Sequence, residues 1–383
     1  MRCLLPTHMP EANFIYLDYN ATAPLLPEVR EVMHAIEGSP LNPSSVHKAG
    51  RQAKKIIEDA RREIAQACSV FPHEILFFGS ATEANNAVLR GFAPSRALLV
   101  SAIEHASIQI TGELLGAATI PVDAQGLVHL EMFEQQLVAL GDKKALVSVM
   151  LGNNESGVIQ PIAEIANIAH RHGALLHTDA VQALGKIPLD MGVLGADMMT
   201  ISAHKAGGPV GVAALVLRDG ITLPALLTGG GQEASRRAGT ENVVAIAGFA
   251  ELVRRVAHCP QAAQWEHMRN HLQKALQTIA PDAIVFSEAA PRLPNTLLIH
   301  MPGVSNETQL MHFDLDGFAV SAGSACSSGR IAPSHVLKAM GVPHAIAQSA
   351  IRISIGWQTT DAMLEAFANS WKTLYSRAGQ KAA

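Results

Sequence analysis

The sequence predicts an α/β protein built on a mainly parallel sheet with helices on both faces. Three observations carry this. Short aliphatic runs recur along the first half of the chain, each ending in a polar or glycine-rich cluster. Amphipathic stretches of helical period lie between them. The apolar content is aliphatic: hydrophobic residues make up 48% of the chain and aromatics only 4%. Strands buried on both faces would then be lined by Val, Ile, Leu and Ala.

Taken in order, the first helix places Val29, Val32, Met33 and Ile36 on one face and stops at Gly38. A longer helix follows, capped by Ser44 or Ser45, with Ala49, Ala53, Ile56, Ala60 and Ile64 along one stripe. Five strands come next. Residues 75–78 run into GSATEANN, 97–100 into SAIEH, 145–150 into LGNNESG, 174–177 into TDAVQ, and 198–201 into SAHK. Between the third and fourth, PIAEIANIAHRHG reads as a helix, with Pro161 at its start and Gly173 after its end. In open sheets of this kind, ligands bind beyond the C-terminal ends of the strands, and the polar clusters fall there. After about residue 260 the texture changes. QAAQWEHMRNHLQKALQTIA reads as a long helix, and NTLLIHM and IRISIG belong to a smaller α+β unit. The expected division is a large domain over 15–260 and a small one formed by 1–14 with 261–383.

Several classes are disfavoured. The 383 residues carry a net charge near −4, which gives no electrostatic case for nucleic acid. No run of about eighteen apolar residues exists, so no membrane helix is expected. The first residues, MRCLLPTHMPEANF, lack an apolar signal core. Cys3, Cys68, Cys259 and Cys326 are scattered, without a C-x-x-C pair or zinc-like spacing. Few cysteines in a long chain suit a reducing compartment, and a cytoplasmic location is expected. The nucleotide-binding signatures G-x-G-x-x-G and G-x-x-x-x-G-K-[ST] are absent, as is the hydrolase signature G-x-S-x-G.

Chemistry concentrates at the strand ends. Lys205, in SAHK, follows an aliphatic strand and precedes the turn GGPVG. It is either a solvated lysine or one that loses its proton and forms a Schiff base. Asp179 ends ALLHTD. It is either an ion-pair partner or the carboxylate that keeps a pyridinium nitrogen protonated, as pyridoxal 5'-phosphate (PLP) requires. GSATEANN joins strand to helix, so its N–H groups could cup a phosphate with Thr82 adding a hydroxyl. The alternative is an ordinary capping box of Thr82 and Asn85. His105 lies at the same edge, as a structural residue or as a flat ring stacked on a cofactor. Asn154 and Gln182 are amides at two further strand ends. Cys326 sits in SAGSACSSG, among residues too small to build a core around it.

YLDYNATAP, NPSSVHKAG, GSATEANN, EHAS, NNESGVIQPI, HTDAVQALGK, SAHK, RRAGTENV, SAGSACSSG and RISIG occur in that order. Together they resemble the cysteine desulfurases, PLP enzymes of fold type I in the class V aminotransferase group. The resemblance implies a seven-stranded sheet in the large domain, a homodimer, and a set of roles. Lys205 forms the internal aldimine, Asp179 pairs with the pyridine nitrogen, and His105 stacks on the ring and relays protons. Gln182 and Asn154 hold the ring oxygen and orient substrate. Ala81, through its N–H, and Thr82, Ser202 and His204 bind the phosphate. Thr240 reaches the phosphate of the neighbouring subunit, and Arg352 takes the substrate carboxylate with its fork. Cys326, on a mobile loop, attacks the sulfur of L-cysteine, keeps it as a persulfide and passes it to an acceptor protein. That acceptor would be an iron–sulfur scaffold, a carrier or a tRNA-thiolating enzyme. The chain departs from the pattern at Val210, where many relatives have lysine, at Ser327, where threonine is common, and in its short tail beyond Arg352. Two rivals remain: a selenocysteine lyase or other class V PLP enzyme that does not use Cys326, and a binding partner in sulfur assembly with little turnover.

Overall fold

The computed structural model describes residues 14–323 and 334–382. Its strands are β1 (Ile15–Tyr16), β2 (Ile75–Phe78), β3 (Ala97–Ser101), β4 (Ala118–Ile120), β5 (Ala145–Ser148), β6 (Leu175–Asp179), β7 (Met198–Ser202), β8 (Ala213–Leu217), β9 (Thr296–His300), β10 (Phe318–Ala319) and β11 (Ala350–Ser354). Seven form one sheet, in the order β2-β8-β7-β6-β5-β3-β4. The pairs made by β8 are antiparallel and the others parallel. The sheet is therefore mainly parallel, as the sequence predicts. Strands β4 and β8 are additions to that prediction.

Alternation along each strand explains why these short runs are apolar throughout. Ile75 and Phe77 of β2 join one core with Ile57 and Ile64 of the helix Lys48–Ala67 and Phe249 of the helix Val243–Val256. Leu76 and Phe78 join a second core, on the opposite face, with Val88 and Leu89 of the helix Ala81–Phe92. A strand covered on both faces has no wet side on which a polar residue could sit.

Helix starts depart from the sequence reading in instructive ways. The first helix is Pro27–His34, so Ile36 lies beyond it in a turn. The helix Lys48–Ala67 is capped by His47, whose ring accepts from the N–H of Gly50, and not by Ser44 or Ser45. Those serines belong to a preceding turn closed on Asn42. The helix Ala81–Phe92 is capped by Ser80, whose hydroxyl accepts from the N–H of Glu83 at 3.1 Å. Ser80 is the last extended residue, so its side chain, and not that of Thr82, reaches the orphan N–H groups.

A third core gathers Leu272, Phe313, Phe367 and Trp371 behind the antiparallel pair β9–β11, and Leu17 joins it. Leu17 gets there because β1 pairs in parallel with β10. One further contact fixes the YLDYN segment to this unit. The ring of Tyr19 lies where a Cβ on Gly356 would stand, 2.0 Å from its Cδ1. The glycine of RISIG is thereby accounted for.

Candidate active site

The C-terminal ends of β2, β3, β5, β6 and β7, with the N-terminal end of antiparallel β8, open onto one cavity of about 510 Å³. Ala81, Thr82, His105, Asn154, Asp179, Gln182, Ser202, His204, Lys205 and Arg352 all line it. Ten residues scattered from 81 to 352 thus converge. Thr240 does not line the cavity; it is exposed on this chain. Cys326 and Ser327 lie outside the described residues.

Lys205 leaves the end of β7 and its Nζ donates to the carbonyls of Asn20 (2.9 Å) and Ala21 (2.7 Å). Asp179, the last residue of β6, is buried. Its Oδ1 accepts from the N–H of Val181 at 3.0 Å and its Oδ2 from Nδ2 of Asn85 at 2.8 Å. A carboxylate only accepts, so the Asn85 amide must turn its nitrogen toward Asp179. The same Nδ2 donates to Ser107 Oγ at 3.0 Å. Ser107 meets Nδ1 of His105 twice, through its hydroxyl at 2.9 Å and its N–H at 3.1 Å. With Nδ1 accepting, the ring proton of a neutral His105 belongs on Nε2. A chain of hydrogen bonds, Asp179–Asn85–Ser107–His105, therefore sets the position of the histidine, and the Ser107 N–H fixes its tautomer.

Burial pushes the His105 pKa below the ordinary histidine value; Asp179 opposes this, while Lys205 and His335 add to it. His204, whose Nδ1 meets Thr22 Oγ1 at 3.2 Å, is pushed down to about 4, first by burial and then by Lys205. Kept neutral, both imidazoles can hydrogen-bond beside Lys205 without adding a second positive charge.

Arg352 projects from β11 in the smaller unit. Its Nη1 donates to the carbonyl of Asn154 at 2.8 Å and its Nη2 to Asp18 Oδ1 at 2.5 Å. The guanidinium is held in one orientation, at 3% exposure, with both elements of the fold contributing.

Three buried polar atoms of cavity-lining residues have no partner among the described residues: Asn85 Oδ1, Asn154 Oδ1 and Arg352 Nε. Orphaned polar atoms are costly in a dry wall, and here they border an open cavity. Ser80, Ala81 and Thr82 bring the N-terminus of the helix Ala81–Phe92 to the same cavity, where the first N–H groups lack intrahelical acceptors. Anion cup, lysine, buried carboxylate and orphaned amides could hold a phosphorylated pyridine aldehyde such as PLP.

Sequence reasoning missed Asp18, Asn20, Ser107 and Lys186, and gave Asn85 only a capping role. All five lie inside motifs quoted above, but nothing in a linear motif states which side chain receives whose hydrogen bond. The two described cysteines, Cys68 and Cys259, are unsuited to react. Burial raises Cys68 to about 12 and Cys259 to about 11. At neutral pH both are thiols, not thiolates.

Comparison with known proteins identifies a family and a fold. The family model for aminotransferase class-V matches residues 15–367. The chain is 40% identical over 355 residues to a cysteine desulfurase of Sinorhizobium fredii, covering 89% of this chain and 91% of that one. It is 37% identical over 359 residues to the cysteine desulfurase IscS of Dictyoglomus turgidum, covering 90% of each. Among solved structures, the NifS-like protein of Rickettsia africae superposes with a TM-score of 0.87 at 39% identity, covering 95% of this chain and 99% of that one. A structure described as SspA in complex with cysteine superposes with a TM-score of 0.78 at 31% identity, covering 89% and 98%.

Proposed function

The chain belongs to the aminotransferase class-V family, and from that premise we propose that it is a PLP-dependent cysteine desulfurase. It removes sulfur from L-cysteine, releases L-alanine and holds the sulfur as a persulfide on Cys326. The carrying observation is the convergence on one cavity of Lys205, Asp179, His105, the helix N-terminus at Ala81 and Thr82, and Arg352. Relatives named cysteine desulfurase at 37–40% identity over about nine-tenths of the chain support the same reading.

Bound PLP supplies an electron sink for the carbanion left when the substrate Cα proton is removed. Lys205 would hold the cofactor covalently, Asp179 would serve its ring nitrogen, Gln182 and Asn154 its ring oxygen, and Ser202 and His204, with Ala81 and Thr82, its phosphate. The amine of Lys205 takes the Cα proton once released from attachment. His105 moves protons through Nε2. Arg352 receives the substrate carboxylate and so fixes which face of Cα meets Lys205. The Cys326 thiolate attacks the substrate sulfur: the S–S bond forms, the Cβ–S bond breaks, and Cβ is then protonated to the alanine level. Neither Cys68 nor Cys259 has thiolate character to substitute.

Thr240, exposed on one chain, serves the phosphate site of a second copy, making the working form a homodimer. The persulfide is handed to an acceptor protein of sulfur assembly, in the reducing compartment that few cysteines suit. No helix among the described residues is long and apolar enough to cross a membrane.

The test pairs wild type with Cys326→Ala, both loaded with PLP and given L-cysteine with a reductant. Equal alanine and sulfide from wild type, and almost none from the variant, are expected. Matching activity in both would overturn the covalent role of Cys326 and favour a lyase.

A further inference from the structure

Beneath Lys205 lies a second lysine that the mechanism above does not use. Lys186 is 3% exposed, and no carboxylate pairs with it among the described residues. Its Nζ donates to Gln182 Oε1 at 2.6 Å and to Asn20 Oδ1 at 2.9 Å. We propose that Lys186 is a positioning residue: it locks the Gln182 carboxamide with its oxygen inward, so that one N–H of Nε2 is offered to the cavity and to an anionic oxygen on the cofactor ring. The proposal deepens the functional reading and rests on PLP occupying this cavity.

The orientation is forced from both sides. Asn20's main-chain oxygen can only accept. It takes Gln182 Nε2 at 2.9 Å as well as Lys205 Nζ at 2.9 Å. The nitrogen of the Gln182 amide therefore faces Asn20, and its oxygen faces Lys186. Asn20's own amide is equally settled. Its Nδ2 donates to the Asn154 carbonyl (3.2 Å) and Thr296 Oγ1 (2.8 Å), while its Oδ1 accepts from Lys186 and from Asn295 Nδ2 (3.1 Å). A flipped Gln182 would set oxygen against oxygen at Asn20 and turn toward Lys186 a nitrogen that cannot accept its N–H. One of the two Nε2 hydrogens is spent on Asn20, which leaves the other for the cavity that Gln182 lines.

The two acceptors around Lys186 match the two N–H bonds of an uncharged amine. Burial, reinforced by Lys205 and Arg352, holds its pKa well below the usual lysine range. Lys186 thus donates to Gln182 without adding a second positive charge under Lys205.

The experiment is a double-mutant cycle on the PLP-loaded enzyme, using Lys186→Met, Gln182→Ala and the double variant. Two properties are read: the dissociation constant of PLP, and the pH titration of its visible absorption, which a merely structural role would not move. Lys186→Met is expected to weaken PLP by about tenfold, the loss of one oriented hydrogen bond to an anion, and to shift the titration. In the Gln182→Ala background it should add less than about twofold, because a residue acting through Gln182 has nothing left to act on. Multiplying effects in the double variant, or an unaltered spectrum and affinity in Lys186→Met, would overturn the proposal. If Lys186→Met does not fold, as judged by circular dichroism, the same cycle is run with Lys186→Gln. A wild type that takes up PLP without developing a visible absorption band fails the PLP reading itself, and that result is seen before any variant is made.

Discussion

Truncating Asn85 should uncouple Asp179 from His105, and the cost can be worked from contacts. Asn85 is fully buried, and its Nδ2 gives one hydrogen bond to the Asp179 carboxylate at 2.8 Å and one to Ser107 Oγ at 3.0 Å. A hydrogen bond to a charged acceptor contributes about 1.5–3 kcal/mol, and a neutral one about 0.5–1.5 kcal/mol. Asn85→Ala should therefore lower the unfolding free energy by about 2–4 kcal/mol. The assay is urea unfolding followed by circular dichroism on cofactor-free protein, so that ligand binding adds nothing. A cycle with Asp179→Asn isolates the charged bond and should return a coupling of about 1.5–3 kcal/mol. Nitrogen-15 spectra of His105 give a second readout, with the proton on Nε2 in wild type and still there in Asn85→Ala, because the Ser107 N–H keeps Nδ1 an acceptor. Additive losses in the cycle, or a wild-type proton on Nδ1, would refute the chain of hydrogen bonds.

Three further outcomes follow from other contacts. Glu233 sits at φ 47° with Ala234 and Ser235 also left-handed, and its carboxylate takes Arg61 at 2.8 and 2.9 Å and the N–H of Phe77 at 2.9 Å. Glu233→Gln should cost about 3–5 kcal/mol in urea unfolding, as for a broken buried pair. His177 is fully buried between Ser148 and Thr200, and burial pushes it down to about 3 from 6.5. Between those values the unfolded chain binds a proton that the native chain does not. The contribution of His177 is thus complete above pH 6.5 and is lost as pH falls toward 3. It is on the order of 5 kcal/mol, and His177→Gln should flatten the urea midpoint between pH 6.5 and 4 relative to wild type. Gly356→Ala drives a methyl into the Tyr19 ring. It should lower the urea midpoint by an amount equivalent to about 1–3 kcal/mol, whereas an unchanged midpoint would show that the ring has room to move.

The five strands read from sequence lie at the expected positions because aliphatic runs covered on both faces leave a local signature. Strand β8, also all aliphatic as AALVL, was passed over because it follows a glycine turn with no helix before it, unlike a parallel unit. Helix starts were misjudged where two polar residues competed for the cap. At Ser80 and at His47, backbone geometry decided which side chain could reach back. The candidate site was legible in its ligand-facing members, since Lys205, Asp179 and His105 each follow a strand. Its supporting members were not. Asn20, Asn85, Ser107 and Lys186 act on one another across sequence separations that no local pattern encodes, and their chemistry appears only when donors are matched to acceptors in space.

The Asn20 junction also fixes an order of events during synthesis. Its backbone N–H donates to Ser354, 334 residues further on, and its side chain meets Asn295 and Thr296, 275 and 276 residues away. At about 5–20 residues per second, the ribosome delivers Ser354 some 15–70 s after Asn20. Once Leu217 is made, β2 through β8 are complete and can pair, whereas β1 still has no β10 to join and Leu17 has no core to enter. The seven-stranded sheet can assemble as the chain emerges, but the floor beneath Lys205 closes last, by the slow route of a distant contact. A nascent chain stalled before β10 would show a folded sheet and a protease-sensitive stretch around residues 14–20, an order that the fold imposes whatever the cell supplies.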